Sequence, residues 1–317
     1  MYAGVLFALL AGLMWGLIFV APALLPDYPA ALMSVGRYLA LGVISLPLAW
    51  YSRRALRELT RADWIEAFKL SAIGNLIYYF CLSGAIQRAG APVSTMIIAT
   101  LPVVIAIAAN LLYSRQDGKL SWWRLAPSLL LIAAGLTLVN LAEMSAGMAA
   151  DSLPDYLAGI GLAVLALLCW TWYPLRNARW MRRNPTKKGT TWATAQGLVT
   201  LPLSLIGLLL LSGQMALSND PLPLPFGPRP QVFIPLMIAI ALFCSWLGAL
   251  CWNEASQRLP TVLLGPLTVF ETLAGLAYIF ILRQTWPPLL TLAGVACLMA
   301  GVIYAMRSKP KPVVVKI

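Results

Sequence analysis

The sequence predicts an all-α integral membrane protein with ten transmembrane helices, built as two inverted repeats of five helices each. Three observations point to this fold class: an apolar composition, ten apolar runs of helical length, and similarities between the two halves of the chain. Of the 317 residues, 60% are hydrophobic and only 11% are charged, and the mean hydropathy is +0.80. Soluble proteins carry about 25% charged residues, so this composition predicts a protein embedded in a membrane.

Ten apolar runs are long enough to cross a bilayer, which requires about 20 residues of helix. They are not the alternating segments of about 10 residues that form membrane barrels. The predicted spans are residues 3–22, 30–51, 64–86, 91–113, 123–142, 157–175, 191–212, 232–253, 261–282 and 287–306. The proline-rich residues 213–231 lack helical periodicity and predict an extended loop outside the membrane. The first run has neither a basic region before it nor a clear cleavage site, which favours a retained span over a signal peptide.

The basic residues predict that both termini lie in the cytoplasm. With that orientation, cytoplasmic segments hold 18 of the 23 lysines and arginines, the outer loops hold three, and Arg37 and Lys69 fall within spans. Cytoplasmic loops of membrane proteins carry this excess of Lys and Arg. Residues 307–317 form a basic cytoplasmic tail. Because this asymmetry accounts for most of the net charge of +12, nucleic acid is not expected as a partner.

Two constant offsets relate the halves of the chain. At an offset of 155 residues, three positions of the first half recur in the second, namely Trp15, Gly42 and Pro47 as Trp170, Gly197 and Pro202. Beyond the 213–231 loop the offset becomes 170, which aligns Cys81 with Cys251. Residues 1–150 and 151–306 each hold five spans, and this odd number inverts the second repeat relative to the first. Inverted repeats are typical of secondary transporters, whose substrate sites lie near the bilayer midplane; chance similarity among apolar segments is the alternative.

Glu271 is the acidic residue that lies near the middle of an apolar run. A charge at that depth costs roughly 3 kcal/mol or more, so a functional role is the favoured interpretation. Glu271 could take up a proton or bind a substrate ammonium group; a carboxylate that only bonds to a neighbouring helix is the structural alternative. The equivalent position in the first half, at the offset of 170, is Leu101. This asymmetry favours substrate recognition or coupling over architecture.

Arg37 lies inside the second span, at a depth that helical rise places within about 5 Å of the depth of Glu271. Three roles are consistent with it: an ion pair with Glu271, a bidentate bond to a substrate carboxylate, or a purely structural role. Glu66 and Lys69 lie three residues apart near the inner end of the third span, and they are predicted to form an interfacial pair.

The aromatic residues divide by depth. Those at span ends predict a belt at the membrane interfaces: Trp50, Tyr51, Trp64, Trp122, Trp123, Trp180, Trp192 and Trp286. Deeper ones suit, as a set, a cavity for an apolar or aromatic ligand, with helix packing as the alternative for each: Trp15, Tyr78, Tyr79, Trp170, Tyr173, Trp246, Trp252 and Phe270. Met96 would add adaptable apolar surface. Asn253 offers a hydrogen bond inside the membrane, to a substrate or to another helix.

The sequence lacks the residues and motifs that usually bind metals, catalyse acid–base reactions or hydrolyse ATP. It contains no histidine, the commonest metal ligand and general base. Its five cysteines lie within apolar runs without a CxxC pair, so we expect neither a disulfide nor a bound metal. A Walker-type phosphate-binding motif is also absent from the sequence, which argues against ATP hydrolysis. We therefore expect no cofactor, and a membrane enzyme is a weak alternative to a transporter.

Four short motifs occur in order along the spans: Gly12-Leu-Met-Trp15-Gly16, Gly36-Arg37-Tyr38, Ala99-Thr100-Leu101-Pro102 and Phe270-Glu271-Thr272. With the closing Ala-Gly helix of each half, this order resembles the drug/metabolite transporter superfamily, in particular exporters with two EamA-type units of five helices. Two positions depart from that pattern. Thr272 replaces the family's proline, and Ser114-Arg115-Gln116 stands where an acidic residue commonly follows the fourth span. Within the superfamily, the chain looks most similar to the aromatic amino acid exporters of the bacterial inner membrane.

The resemblance implies export of amino acids, aromatic or otherwise apolar, or of related small metabolites across the inner membrane. Transport would proceed by alternating access through a midplane cavity, with proton antiport through Glu271 or with facilitated diffusion. Another substrate class on the same fold, such as cationic drugs or nucleotide sugars, is the alternative. A channel or scaffold would need neither an inverted repeat nor saturable transport. We expect a monomer surrounded by membrane lipid.

Overall fold

All regular secondary structure is helical in the residues that the computed structural model describes, which are 2–20, 24–25, 27–89, 94, 97–98, 100–112, 122–143, 153–217, 223–284 and 286–307. The all-α prediction is confirmed for these residues. In chain order the helices are α1 (Tyr2–Gly16), α2 (Ala30–Tyr51), α3 (Arg53–Arg57), α4 (Arg61–Ser71), α5 (Tyr78–Ala89), α6 (Leu101–Leu112), α7 (Trp122–Glu143), α8 (Leu153–Arg183), α9 (Gly189–Ala216), α10 (Pro230–Ile240), α11 (Gly248–Arg258), α12 (Thr261–Arg283) and α13 (Leu289–Arg307).

Six helical stretches are long and apolar enough to cross a membrane, and four shorter apolar helices accompany them among the described residues. Helices suit this sequence because the bilayer core offers no water to its backbone N–H and C=O groups, which must bond within the chain. Each of the ten predicted spans overlaps one of these stretches. The count of ten crossings stays a prediction, because four of the spans contain only the shorter apolar helices.

Two π-helical segments each join two helices into one continuous span. Ala72–Ile77 joins α4 to α5, and Ala241–Leu247 joins α10 to α11. A π turn holds an extra residue and is frequent at functional sites. The two segments are related by the offset of 170 that the sequence shows beyond its long loop, so the same irregularity occurs at equivalent places in both halves.

Helix α8 continues well beyond its predicted end at residue 175. It has 31 residues, or about 46 Å by helical rise. Acceptors from other helices hold its basic last turns: Arg176 Nη2 donates to Glu66 Oε2 at 3.0 Å, and Arg182 Nη2 donates to the Leu259 carbonyl at 2.8 Å. The sequence predicted an end at residue 175 because hydropathy falls where the arginines begin, but the helix continues to Arg183. The predicted pair of Glu66 with Lys69 is also wrong, because Glu66 binds Arg176 instead.

The helices pack in a reciprocal pattern across the two halves of the chain. Helix α1 packs against α11 and α12, whereas α8 packs against α5 and α6. Helix α2 packs along α9, and α7 packs along α13. The largest buried apolar cluster includes residues from both halves. This exchange of partners is what two inverted five-helix units would produce, and the repeat itself stays a prediction.

Glycines bring α1 and α12 into close contact. A Cβ atom built on Gly12 would lie 3.1 Å from the backbone nitrogen of Glu271, and one built on Gly16 would lie 2.7 Å from the Cβ of Ala274. The two glycines, four residues apart, therefore form a GxxxG contact face. The helix that carries Glu271 is held directly against the first helix of the chain.

Outside the spans, Tyr28 ties the loop before α2 to the segment before α10. Its hydroxyl donates to the Phe226 carbonyl at 2.8 Å and accepts from the Arg229 backbone N–H at 2.7 Å. Its ring stacks on Phe233 with centroids 4.8 Å apart. The Arg229 guanidinium also forms an ion pair with Asp27 and holds the pKa of that carboxyl below its usual range.

A larger residue at Gly16 should separate α1 from α12. We expect Gly16→Val to destabilise the protein by about 1–3 kcal/mol, the usual cost of overpacking a well-packed contact. The matched control is Gly161→Val in α8, where a built Cβ meets no atom within 4 Å. Reversible unfolding in detergent micelles measures both variants, and equal losses would contradict the close contact.

Acid should remove the contribution of the Asp27–Arg229 pair. Since the folded pKa of Asp27 lies below the unfolded value of about 3.9, the pair stabilises the fold above that value and is lost as the pH falls through the lower folded pKa. Asp27→Asn should therefore melt earlier than wild type at about pH 7, and the difference should shrink as the pH falls below about 3.9. A difference in melting temperature that is unchanged in acid would argue against this contact.

Candidate functional site

A small cavity lies where six of the helical spans meet. It is lined by Trp15 of α1, by Arg37, Tyr38 and Leu41 of α2, by Asn75, Cys244 and Ser245 of the two π segments, by Trp170 and Tyr173 of α8, by Ala193, Gln196 and Gly197 of α9, and by Ala249 of α11. Its volume is about 30 Å³, enough for one or two water molecules. Its lining combines polar side chains with aromatic rings.

Stacked aromatic rings form one wall of the cavity. The Trp170 ring lies between Tyr78 and Tyr173, with centroid distances of 4.9 Å and 5.2 Å. Trp15 meets Trp170 edge-on at 6.2 Å and packs on Trp252 at 5.1 Å. Trp15 and Trp170 are the two tryptophans that the offset of 155 relates. The equivalent aromatic residues of the two halves therefore meet at the cavity.

Arg37 supplies the positive charge of the cavity. Its Nε donates to Ser245 Oγ at 2.8 Å, and its guanidinium carbon lies 5.1 Å from the centre of the Tyr38 ring. Its terminal Nη1 and Nη2 groups have no hydrogen-bond partner among the described residues. A guanidinium with a free fork of this kind matches the two oxygens of a carboxylate. The direct ion pair with Glu271 is absent, since no pair within 4.0 Å joins these two described residues.

A chain of buried hydrogen bonds leads away from the cavity wall. The Tyr173 hydroxyl donates to Gln196 Oε1 at 3.0 Å, and Gln196 Nε2 donates to Asn177 Oδ1 at 3.2 Å. Asn177 Nδ2 donates to Asn253 Oδ1 at 2.7 Å, and its own Oδ1 also accepts from Trp192 Nε1 at 2.9 Å. Asn177 is fully buried. It ties α8, α9 and α11 together directly beside the cavity.

Comparisons with known proteins agree with this architecture. The EamA-like transporter family matches residues 2–141. The chain is 62% identical over 311 residues to the Escherichia coli (strain K12) protein described as inner membrane protein YtfF. This alignment covers 98% of this chain and 97% of that protein. The chain belongs to the EamA-like transporter family. A solved structure described only as the crystal structure of a protein shares the fold, with a TM-score of 0.74, 16% identity and 96% of each chain covered.

In this EamA-like transporter, four of the eleven predicted site residues line the cavity, namely Trp15, Arg37, Trp170 and Tyr173. Tyr78 contributes by stacking on Trp170, and Tyr79 is half-buried one residue further along α5. Met96 lies outside the described residues.

The remaining predicted site residues have packing or bonding partners away from the cavity wall. Trp246 Nε1 donates to Thr194 Oγ1 at 3.2 Å. Asn253 is buried and bonded to Asn177, which is the interhelical bond that was the alternative to substrate contact. Phe270 packs against Gly12 through its ring.

Glu271 stands beside the cavity wall but is not part of it. It is half-buried on α12, next to the close contact with Gly12. Its carboxylate has no hydrogen-bond partner within the described part of the chain. The architectural alternative, a carboxylate bonded to a neighbouring helix, therefore lacks its bond in this conformation.

Two tryptophans of the predicted interfacial belt lie in the interior instead. Trp180 and Trp192 stack with centroids 3.4 Å apart, and both are buried. Each indole N–H has an acceptor, since Trp180 Nε1 donates to Asp63 Oδ1 at 3.0 Å and Trp192 Nε1 donates to Asn177. Their position near span ends predicted a place in the interfacial belt. That prediction is wrong for these two residues, because their hydrogen-bond acceptors are buried side chains on other helices. Trp50, Tyr51, Trp123 and Trp286 are exposed, as a belt requires.

Sequence reasoning missed three polar or titratable residues of the cavity wall: Tyr38, Cys244 and Ser245. One signal could have found Ser245. It lies 170 residues after Asn75, another polar residue within an apolar run.

Removing the Asn177 side chain should leave several buried polar groups without partners. Asn177→Ala should destabilise the transporter by about 2–4 kcal/mol, because each unsatisfied buried group costs about 1–3 kcal/mol. The control is Asn184→Ala, whose amide bonds only to the Trp180 carbonyl of its own helix end. Thermal unfolding in detergent compares the two variants. Similar melting temperatures would show that the buried hydrogen bonds of Asn177 contribute little to stability.

Proposed function

We propose that this protein exports amino acids with aromatic or other apolar side chains, or closely related metabolites, by alternating access through the cavity. The observation that carries the proposal is the juxtaposition of a free guanidinium fork with stacked aromatic rings. Arg37 suits a carboxylate, and the rings of Trp15, Trp170 and Tyr173, which line the same cavity, suit an apolar side chain. The name of the YtfF relative supports an inner-membrane location for this chain.

The size of the cavity supports alternating access. At about 30 Å³ it is too small for an amino acid, since ligand pockets measure about 300–1,000 Å³. The helices around it must therefore separate to admit a substrate. The reciprocal packing of α1 and α8 suits a movement of one half against the other, as in transporters with inverted repeats. We place the substrate site at the interface of the two halves.

We assign proton coupling to Glu271. It is a carboxylate beside the site, without a bonding partner among the described residues, and on a helix that contacts α1 directly. Such a group can take up a proton in one conformation and release it in the other. Facilitated diffusion is the alternative mechanism, and the absence of histidine supports it by removing the commonest proton relay. The positive charge of Arg37 disfavours purely cationic drugs as substrates.

Counterflow in proteoliposomes tests the proposal. Vesicles preloaded with an unlabelled amino acid should accumulate the same labelled amino acid transiently, with saturable rates for phenylalanine, tyrosine, tryptophan, leucine and methionine. Empty vesicles and vesicles preloaded with a cationic drug are the controls. Failure to observe exchange of any amino acid would rule out this substrate class.

Glu271→Gln distinguishes coupling from facilitated diffusion. We expect the variant to insert normally and to lose either net export or its dependence on a pH gradient, because glutamine cannot take up a proton. Glu254→Gln is the matched control, since Glu254 forms an i,i+4 pair with Arg258 away from the cavity and should keep the wild-type pH profile. An unchanged rate and pH profile in Glu271→Gln would remove Glu271 from the mechanism.

A further inference from the structure

The two π segments hold adjacent residues of α2. Arg37 donates to Ser245 in the segment Ala241–Leu247 at 2.8 Å, and the Tyr38 hydroxyl donates to Asn75 Oδ1 in the segment Ala72–Ile77 at 3.2 Å. Ser245 and Asn75 are separated by 170 residues, the offset that aligns Cys81 with Cys251. Equivalent positions of the two halves therefore support consecutive residues of one helix.

We propose that Ser245 and Asn75 are positioning residues that aim the Arg37 guanidinium at a substrate carboxylate. The proposal rests on the proposed function of the cavity and deepens it, since it names the group that the substrate must carry. Ser245 acts directly on Arg37. Asn75 acts through Tyr38, whose ring lies beside the guanidinium at 5.1 Å from centroid to Cζ.

The direct bond to Ser245 determines which face of the guanidinium is available. Arginine has five N–H donors in a fixed plane, and a bond at Nε fixes the rotation of that plane about the last side-chain bond. The two terminal nitrogens then face the cavity side by side, which is the arrangement that binds a carboxylate through two parallel bonds. Without this bond the long arginine side chain would sample several rotamers, and the fork would face the cavity only part of the time.

Tyr38 also helps to hold the Arg37 guanidinium in position. Its hydroxyl is held by Asn75, its ring is buried, and its carbonyl accepts from Thr200 Oγ1 at 3.3 Å. The ring is thus a fixed surface for the planar guanidinium, which stacks well on aromatic faces. Both supports come from π segments, so a rearrangement of either segment would turn the fork away from the cavity.

The test is a binding measurement on the purified full-length protein in detergent. It compares 3-phenylpropionate with its neutral analogue, 3-phenylpropanamide. The two probes share the aromatic ring and differ in the charged group, and the fluorescence of the tryptophan cluster reports binding. We expect wild type to prefer the acid by about tenfold, the value of one added hydrogen bond to a charged group. Ser245→Ala should reduce that preference to about twofold, because the fork is no longer fixed. Ser245→Thr, which keeps a hydroxyl, should restore it.

Tyr38→Phe tests the second support without removing the ring. It should lower the acid preference about threefold through loss of the bond to Asn75. Arg37→Gln should abolish the preference. The matched control is Ser204→Ala, a buried serine of α9 whose hydroxyl donates to the Thr200 carbonyl of its own helix at 2.7 Å. This control should keep the full preference.

Each outcome either supports or overturns the positioning role. A folded Ser245→Ala protein that keeps the wild-type preference overturns it, as does equal binding of acid and amide by wild type. If Ser245→Ala fails to fold, the Thr and Phe variants decide in its place. Probe binding and amino acid counterflow are separate measurements, so a preference for the acid without amino acid exchange would overturn only the proposed substrate. Exchange without a preference would overturn only the positioning role.

Discussion

Close contact between helices is the constraint on which the rest of this structure depends. In lipid, helices gain no hydrophobic free energy by associating, so packing and interhelical hydrogen bonds must hold them together. The glycines at these contacts let backbones approach: Gly12 and Gly16 bring α1 against α12, and Gly135 meets Gly294 between α7 and α13. The contact of α1 with α12 has a direct effect on the site, because Trp15 lies between the two glycines and reaches the cavity from the same turn that touches Glu271.

The cavity combines groups that a membrane interior normally excludes. A guanidinium costs several kilocalories per mole in lipid, and here it is surrounded by a serine, a tyrosine ring and an asparagine rather than by an acidic partner. An arginine that formed an ion pair with Glu271 would have its charge neutralised and its fork occupied. Keeping the two charges apart leaves one available for an anionic group and the other for a proton. This separation is the physical basis for assigning recognition to Arg37 and coupling to Glu271.

The sequence predicts the parts of this molecule that depend on composition and local pattern. Apolar runs identify the helices, and the spacing of Gly12 and Gly16 identifies a contact face. Trp15 and Trp170, found by their offset, do meet at the cavity. What the sequence does not reveal depends on partners far along the chain. Buried acceptors on other helices draw Trp180 and Trp192 inward.

The same limit applies to polar side chains at the site and near the span ends. Arg176 rather than Lys69 pairs with Glu66, because α8 continues past its apolar run. Ser245 is inconspicuous in an apolar stretch until its bond to Arg37 is seen. A single sequence contains the charges of this protein but not the distances between them.

The paired π segments also determine how this chain tolerates a change in length. A π turn holds one residue more than the α-helical turn it interrupts, and each residue of an α-helix turns the chain by about 100°. The π turn absorbs its extra residue locally, so deleting one residue from Ala241–Leu247 would restore a regular helix and keep Trp252 against Trp15 and Asn253 against Asn177. Deleting a residue from the α-helical part before Ala241 would instead rotate the helix beyond it by that angle, unless the π turn closed to compensate. Each π segment therefore holds a residue that the long-range contacts do not need, and its effect is confined to the segment that carries Ser245 or Asn75.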